Sequence, residues 1–473
     1  MLLLEALRLQ ATPRPVRLAL VGAGGKSTAL FQLAREFLLP NPVEATRQVT
    51  SKATTVVVSA TTHLAVAQAA LADRHFVITG AAEIDALAKE LPAGVILFTG
   101  AEVDRGRLAG VTPDVLDRLF FLAEAYQLPL LVEADGSRLR PVKAPAAHEP
   151  AIPPLVDSVV VVAGLSALGK PLTSEWVHRP EIFAELSDLA SGSLITPDAL
   201  VRLLSHPGGG LKNIPASARR VVLLNQADTA EMQAAASSMV KHLLLHFHAV
   251  VIAALQPMPF PIPYPKSSVS SKVLAVHEPI AGIILSAGES RRLGQPKALL
   301  SWKGAPFIHH VIKAARGAGL SPLVVVSGAH TTQVQAACAG MEVQLVHNPD
   351  WQEGQSASLK VGLRSLPSEV GGAVFLLADQ PQIPSGLVRL LVEEHVAGLQ
   401  PIVAPLVDGR RANPVLFDRL TFPSLMALSG DVGGRALFAK YRIAWVPWHD
   451  PAILLDVDTQ EDYQKLLELD QDV

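Results

Sequence analysis

The chain has 473 residues, 49% of them hydrophobic and 18% charged, with a formal net charge of −3 and one cysteine, Cys338. That length exceeds one ordinary domain, and the composition is too apolar for a disordered chain. The near-neutral balance excludes a field that would draw in nucleic acid or an anionic membrane, and a lone cysteine excludes an internal disulfide and a Cys-based zinc site.

The N-terminus, MLLLEALRLQ, carries Glu5 and Arg8 early and lacks the basic start and unbroken apolar core of a secretion signal. No apolar run reaches the roughly 18 residues of a membrane span. A reducing cytoplasm is the expected setting.

From Arg17 an apolar strand runs into Gly22-Ala23-Gly24-Gly25, then Lys26-Ser27-Thr28, then a helical pattern with Leu30, Phe31 and Leu33. A strand, a glycine loop and a helix N-terminus make an anion seat. Lys26 is placed to meet phosphates, and Ser27 or Thr28 to hold Mg²⁺. The spacing departs from a full P-loop, since Leu20 stands where that motif has its first glycine. A variant nucleotide loop is favoured over a plain tight turn.

Apolar runs at 55–59, 76–78, 95–98 and 129–132 alternate with helical segments, the pattern of a parallel sheet covered on both faces. Thr61 and Thr62 end the first of these, as ligand contacts or helix caps. The last delivers Glu133 and Asp135 to a strand tip, placed for Mg²⁺ or water. A proline-punctuated loop follows with Ser137, Arg138, Lys143, His148 and Glu149. A later strand, 221–224, ends in Asn225-Gln226-Ala227-Asp228. Asn225 and Asp228 are spaced like a base-reading corner, or like Asx caps of the next helix.

Taken together, GAGGKST, ATTH, VEADGSR with KAPAAHEP, GLSALGKPL with VHRPE, and LLNQAD resemble the YqeC-type family, accessory proteins of selenium-dependent hydroxylases. The resemblance covers roughly residues 1 to 255. It implies a nucleotide-binding domain, with Gly22, Gly24, Gly25, Lys26, Ser27, Thr28, Asp135, Asn225 and Asp228 at the site. The alternating prolines from Pro257 and the serines at 267–271 then read as a linker over 257–279.

The second half opens with a strand, Ala281 to Ile284, and the loop LSAGESRRLGQPKALL over 285–300. Its small residues let backbone N–H groups approach an anion, while Arg291, Arg292 and Lys297 neutralise its charge. Asn348 and the small loop from Gly354 to Ser358, Ser356 among them, suit a base or phosphate contact. Asp379 ends the apolar run 374–378, and a carboxylate there is costly unless paired or metal-bound. Asp456 and Asp458 share one side of an extended segment, so one of them can complete a Mg²⁺ site with Asp379. Thr459 with Asp462 reads instead as a helix cap.

LSAGESRRLGQPKALL resembles the signature of MobA-like nucleotidyltransferases, and the DQP, GDVGGR and DVDTQEDY motifs resemble the MocA-like branch, molybdenum cofactor cytidylyltransferases. The resemblance covers roughly residues 280 to 470 and implies a three-layer α/β/α domain with a mostly parallel sheet. It implies nucleotide contacts at Ser286, Ala287, Gly288, Arg291, Arg292, Lys297, Asn348 and Ser356. Arg292, Lys297 and Asp379 form its catalytic group, and Asp379, Asp456 and Asp458 its metal set. The Ala287-Gly288 pair favours CTP over GTP. Ala412-Asn413-Pro414 stands where the family often has Gly-His-Pro.

The expected protein is α/β with two domains, each a mostly parallel sheet with helices on both faces: 1–256, a linker 257–279, and 280–473. The expected activity is transfer of CMP from CTP to a molybdopterin-type cofactor with Mg²⁺. The expected partners are that acceptor and an apo-molybdenum hydroxylase, with neither nucleic acid nor membrane. A sugar-phosphate acceptor, or a nucleotide-regulated delivery role without catalysis, stays open.

Overall fold

Each apolar run named above becomes a strand, and buried strands dictate the architecture. The structure is a computed structural model, and it describes residues 1–10, 14–39, 54–104, 106–256, 272–290 and 292–469. The chain divides into two units, Met1–His277 and Glu278–Val473.

In the first unit nine strands form one sheet: β1 (Arg17–Gly22), β2 (Thr55–Ala60), β3 (Arg74–Val77), β4 (Gly94–Thr99), β5 (Leu130–Glu133), β6 (Ser158–Gly164), β7 (Arg219–Asn225), β8 (Ala249–Ala254) and β9 (Lys272–His277). Their order is β9-β8-β7-β6-β1-β5-β2-β4-β3, and only β8–β9 pairs antiparallel. Every residue of β2 and β6 is buried, which is why these strands read as continuous apolar runs rather than alternating ones. Helices cover the sheet, among them α1 (Lys26–Glu36) and α2 (Pro113–Ala125), the latter burying Leu116, Leu119 and Phe120. Each such side chain contributes about 1.5–3 kcal/mol on leaving water. From β1 the chain first builds toward β2 and β4, then crosses to β6 on the other side. The strand order therefore reverses at β1, the position where open α/β sheets leave a crevice.

The second unit has β10 (Ile280–Ser286), β11 (Leu323–Ser327), β12 (Gln344–His347), β13 (Gly372–Leu377), β14 (Ile402–Val407), β15 (Arg410–Arg411), β16 (Val415–Asp418) and β17 (Ile443–Pro447). The order is β12-β11-β10-β13-β16-β14-β15, with β17 parallel to β14. Side chains of β10 alternate between two cores. Ile280 and Ile284 pack with Ile308, Val311 and Leu387 on one face; Ala281 and Ile283 pack with Leu359 and Leu363 on the other. Helices α3 (Phe307–Gly317) and α5 (Ser385–Gly398) cover the first face and α4 (Gln355–Arg364) the second, giving three layers. Here the order reverses between β10 and β13.

The expected linker of 257–279 needs correction. Lys272–His277 is β9, held on the edge of the first sheet by antiparallel pairing with β8, and residues 257–271 lie outside the described residues. The apolar run Val273-Leu274-Ala275-Val276 is the overlooked strand signal. No helix among the described residues is long and apolar enough to cross a membrane.

Burial on this edge lowers the His277 pKa from 6.5 to about 4. His178, half-buried and beside Arg179 and Lys143, is also lowered to about 4. The unfolded chain takes up these protons near pH 6.5 and the fold only near 4, so the unit loses stability as pH falls from 6.5 to 4. Replacing His277→Gln is expected to flatten that acid-side slope in urea unfolding series. An unaltered slope would show that His277 is not its source.

Candidate active site

In the second unit the loop after β10, the tip of β13 and the chain before the last helix meet over one cavity of about 370 Å³. Ser286, Gly288, Ser290, Arg292, Lys297, Asp379 and Asp458 line it. Lys297 is the hinge of the arrangement. Its ammonium donates to Asp379 Oδ2 at 3.1 Å and to Asp458 Oδ1, so two carboxylates converge on one cation. Burial, the largest influence, pulls the Lys297 pKa down, but the two carboxylates outweigh it and hold it above its ordinary value. The loop is closed by the Lys297 N–H donating to Ser290 Oγ (3.1 Å) and by His330 Nε2 donating to the Glu289 carbonyl (3.0 Å). Arg292 is exposed at the cavity without an ion-pair partner among the described residues.

The DQP motif explains how Asp458 arrives. Gln382, just past β13, donates to the Ala452 and Leu455 carbonyls (3.1 and 2.7 Å), and Gln380 donates to Asp456 Oδ1 (2.5 Å). These bonds tie the 452–456 segment to the strand tip. Thr459 and Asp462 then form a capping box on α6 (Gln460–Glu468), fixing where Asp458 points.

Several expected contacts are placed elsewhere. Asp456 does not line the cavity, because Gln380 holds its carboxylate; burial and the nearby charges of Asp379 and Asp458 raise its pKa. Among the described residues no group of three or more His, Cys, Asp or Glu is arranged for a metal, so the trio of aspartates is not one centre. Asp379 and Asp458 alone suit Mg²⁺, which takes one or two carboxylates with phosphates and water; the Lys297 ammonium marks where positive charge is balanced. Asn348 is fully buried, its amide donating to Ser358 Oγ (2.9 Å) and accepting from the Asp350 N–H (3.0 Å). Ser356 donates to the Gly430 carbonyl (2.7 Å). Both hold loops rather than face the cavity. Arg291 lies outside the described residues.

A second cleft of about 660 Å³ adjoins the first, sharing Leu285, Gly288 and Asp379. Ala287, Trp351, Gln355, Ser358 and Asp431 line it. Sequence reasoning missed Trp351, although its place just before the small loop Gly354 to Ser358 was a usable signal. That motif packs closely: a Cβ on Gly434 would stand 2.6 Å from Phe417 Cζ, and one on Gly354 2.5 Å from the Asp431 backbone.

In the first unit the glycine loop packs closely against its neighbours. Gly24 has φ +83°, and a Cβ there would lie 2.3 Å from the Gly164 nitrogen on β6. Lys26 is buried, donating to the Gly22 carbonyl (2.6 Å) and pairing with Asp135 (3.2 Å). Asp135 also accepts from the Gly22 N–H (3.0 Å) and pairs with Lys143 (3.0 Å), which pairs with Glu149 (2.9 Å), which pairs with Arg179 (2.7 Å). Although burial raises the Glu149 pKa, Lys143 and Arg179 hold it down to about 2. Ser27 donates to Glu133 (2.8 Å), whose pKa burial raises. Gly25 meets Asn225, and Thr28 is half-buried on the first turn of α1.

The base-reading corner is not assembled. Asn225 is buried with both ends of its amide engaged, to the Gly24 carbonyl (2.8 Å) and from the Leu255 N–H (2.9 Å). Asp228 is exposed and accepts from Gln256 (3.2 Å). Asn225 is thus a strut under the glycine loop. Thr61 donates to the Ala151 carbonyl (3.1 Å).

Residues 18–181 match the family profile described as YqeC protein, and residues 282–444 that of the MobA-like NTP transferase domain. The chain is 32% identical over 240 residues to the YqeC protein of Escherichia coli (strain K12), covering 50% of this chain and 86% of that one. It is 28% identical over 200 residues to nicotine blue oxidoreductase of Paenarthrobacter nicotinovorans, covering 40% and 96%. A protein of Bacillus mycoides (strain KBAB4) named probable molybdenum cofactor guanylyltransferase is 28% identical over 133 residues, covering 28% and 64%.

Lys143→Met would leave buried Asp135 and half-buried Glu149 each short of one partner. Since Lys26 and Arg179 remain, the expected loss is about 3 kcal/mol, the low end for a broken buried pair. Urea unfolding of the full chain reads it, and a loss below about 1 kcal/mol would place the lysine among weak surface pairs.

Proposed function

The chain belongs to the YqeC family and carries a MobA-like nucleotidyltransferase domain in its second unit, and on that premise we propose that it transfers CMP from CTP to a molybdopterin-type cofactor. The observation that supports this most is Lys297 bridging Asp379 and Asp458 at the β10–β13 crevice, where the small loop Ser286-Ala287-Gly288 begins. The name of the Bacillus relative supports the acceptor class.

The acceptor's phosphate oxygen attacks the α-phosphorus of CTP. A new P–O bond forms as the bond to the β-phosphate bridging oxygen breaks, and pyrophosphate leaves with that electron pair. The nucleophile is already anionic, so no general base is needed. Arg292 and Lys297 neutralise the charge that gathers on the triphosphate, and the loop orients it. Mg²⁺, held by Asp379 and Asp458, supplies Lewis-acid charge neutralisation when bound. Asp456 acts on this site through the charge it adds and through Gln380.

For the first unit the same reading gives a second nucleotide seat at Gly22, Gly24, Gly25, Lys26, Ser27 and Thr28. Asp135 serves there as the counter-ion that Lys26 leaves for phosphate. An apo-molybdenum hydroxylase is the proposed recipient of the finished cofactor, and fusion of the two domains would pass a labile product between them at high effective concentration.

Pyrophosphate release tests the transfer. With each NTP offered against molybdopterin and sugar phosphates, CTP with molybdopterin is expected to be fastest. Lys297→Ala and Asp379→Ala are each expected to slow it about 10²–10³-fold with the circular dichroism spectrum intact. A wild-type rate in either variant would sink the assignment, whereas a preference for GTP would overturn only the choice of base.

A further inference from the structure

Two charged runs of the first unit have no part in the nucleotide seat: Ser137-Arg138-Leu139-Arg140, after β5, and Val177-His178-Arg179-Pro180-Glu181. The fold brings them together. Val142-Lys143 pairs in parallel with Val177-His178, which sets Lys143 opposite His178, and the Ala144 N–H donates to the His178 carbonyl (3.1 Å). Arg179 crosses the same ladder. It donates to the Ala144 carbonyl (3.2 Å) and, through both ends of its fork, to Glu149 (2.7 and 3.1 Å). Lys143 donates to the Gly136 carbonyl (2.7 Å), where the run bearing Arg138 begins.

Positive charge is left over at this corner. Arg179, Lys143 and Arg138 all bear on the His178 ring, and Glu149, which opposes them, is already taken by Lys143 and Arg179. Arg138 is exposed and has no hydrogen bond or ion pair among the described residues, and the His178 ring likewise has no hydrogen bond among them. Glu181, the next carboxylate along the chain, is exposed and pairs with none of these cations among the same residues. Arg138, Leu139 and Arg179 also have φ of +49°, +62° and +68°, a left-handed conformation that side chains rarely adopt and that concentrates at ligand sites. Two of the three are arginines. A guanidinium fork donates to two oxygens at once and a neutral imidazole offers one N–H more, a donor set for a phosphate group.

We propose that Arg138 and His178 form a second anion seat in the first unit, separate from the glycine loop, that takes a phosphate group, either free or as the monoester of a small molecule. Arg138 donates through its fork and His178 through one ring nitrogen. Lys143 and Arg179 supply the field while keeping Glu149. The seat is linked to the glycine loop only through the Lys143–Asp135–Lys26 contacts, so it stands whether or not that loop takes a nucleotide. With both seats filled, the unit holds two phosphate-bearing ligands rather than one.

The His178 ring itself reads occupancy. In the full chain labelled at its histidines, the NMR resonance lost in His178→Gln identifies it. Inorganic phosphate is expected to shift that resonance saturably and to raise the His178 pKa from about 4 toward its ordinary 6.5, because a bound anion offsets the three cations. Arg138→Ala is expected to weaken the response about ten-fold, the loss of one charge-assisted contact, with the circular dichroism spectrum intact. Phenyl phosphate separates the sources: tighter binding than inorganic phosphate assigns the seat to a monoester, and weaker binding assigns it to the free ion. A His178 pKa that phosphate does not move, an undiminished response in Arg138→Ala, or displacement of the phosphate by ATP would each overturn the second seat.

Discussion

A strand buried on both faces can place a charge only at its end, and both units use that end for a lysine–carboxylate contact. In each, a small-residue loop follows the first strand of the sheet and carries a lysine: Lys26 after β1, Lys297 after β10. In each, the tip of a strand hydrogen-bonded to that first strand supplies the carboxylate: Asp135 past β5, Asp379 past β13. The remaining polar chemistry is arranged around these two contacts, because neither ammonium nor carboxylate tolerates such a position alone.

The two crevices nevertheless differ in what fills them. In the first unit Gly24 lies against Gly164 and Gly25 against Asn225, so backbone and amide close in on the loop where strand order reverses. In the second unit the equivalent space is a trough of three connected cavities. The glycines of the first loop thus permit close packing within the fold. Gly288 instead borders open space, since a Cβ added there would meet nothing within 4 Å. Glycine-rich sequence alone does not separate these uses, because both demand the absence of a side chain.

Most of the architecture was legible because parallel strands leave unbroken apolar runs and their loops leave charge at fixed places. The cavity formers Ser286, Gly288, Arg292, Lys297, Asp379 and Asp458 were legible for the same reason. Asn348, Ser356 and Asn225 were not. A polar residue at or before the start of a helix has one appearance in sequence whether it meets a ligand or a neighbouring loop, and these three have their hydrogen bonds taken up inside the fold. Asp456 fails similarly: its spacing from Asp458 is right, but Gln380 claims it. The edge strand β9 was hidden by the proline and serine run before it.

Burial decides how readily each lysine can change partner. Lys297 and Asp379 are 21% and 22% exposed and Asp458 is 50% exposed, so water screens the contact and an arriving phosphate exchanges one anion for another in a wet site. Lys26 and Asp135 are 3% and 2% exposed, and separating them would strand a buried carboxylate. What softens that step is Lys143, which keeps Asp135 paired from the other side and passes the charge on to Glu149 and Arg179. The first loop can therefore release its lysine only as part of a chain of alternating charges. An anion bound there would act on the whole chain, whereas one bound at Lys297 acts on two carboxylates.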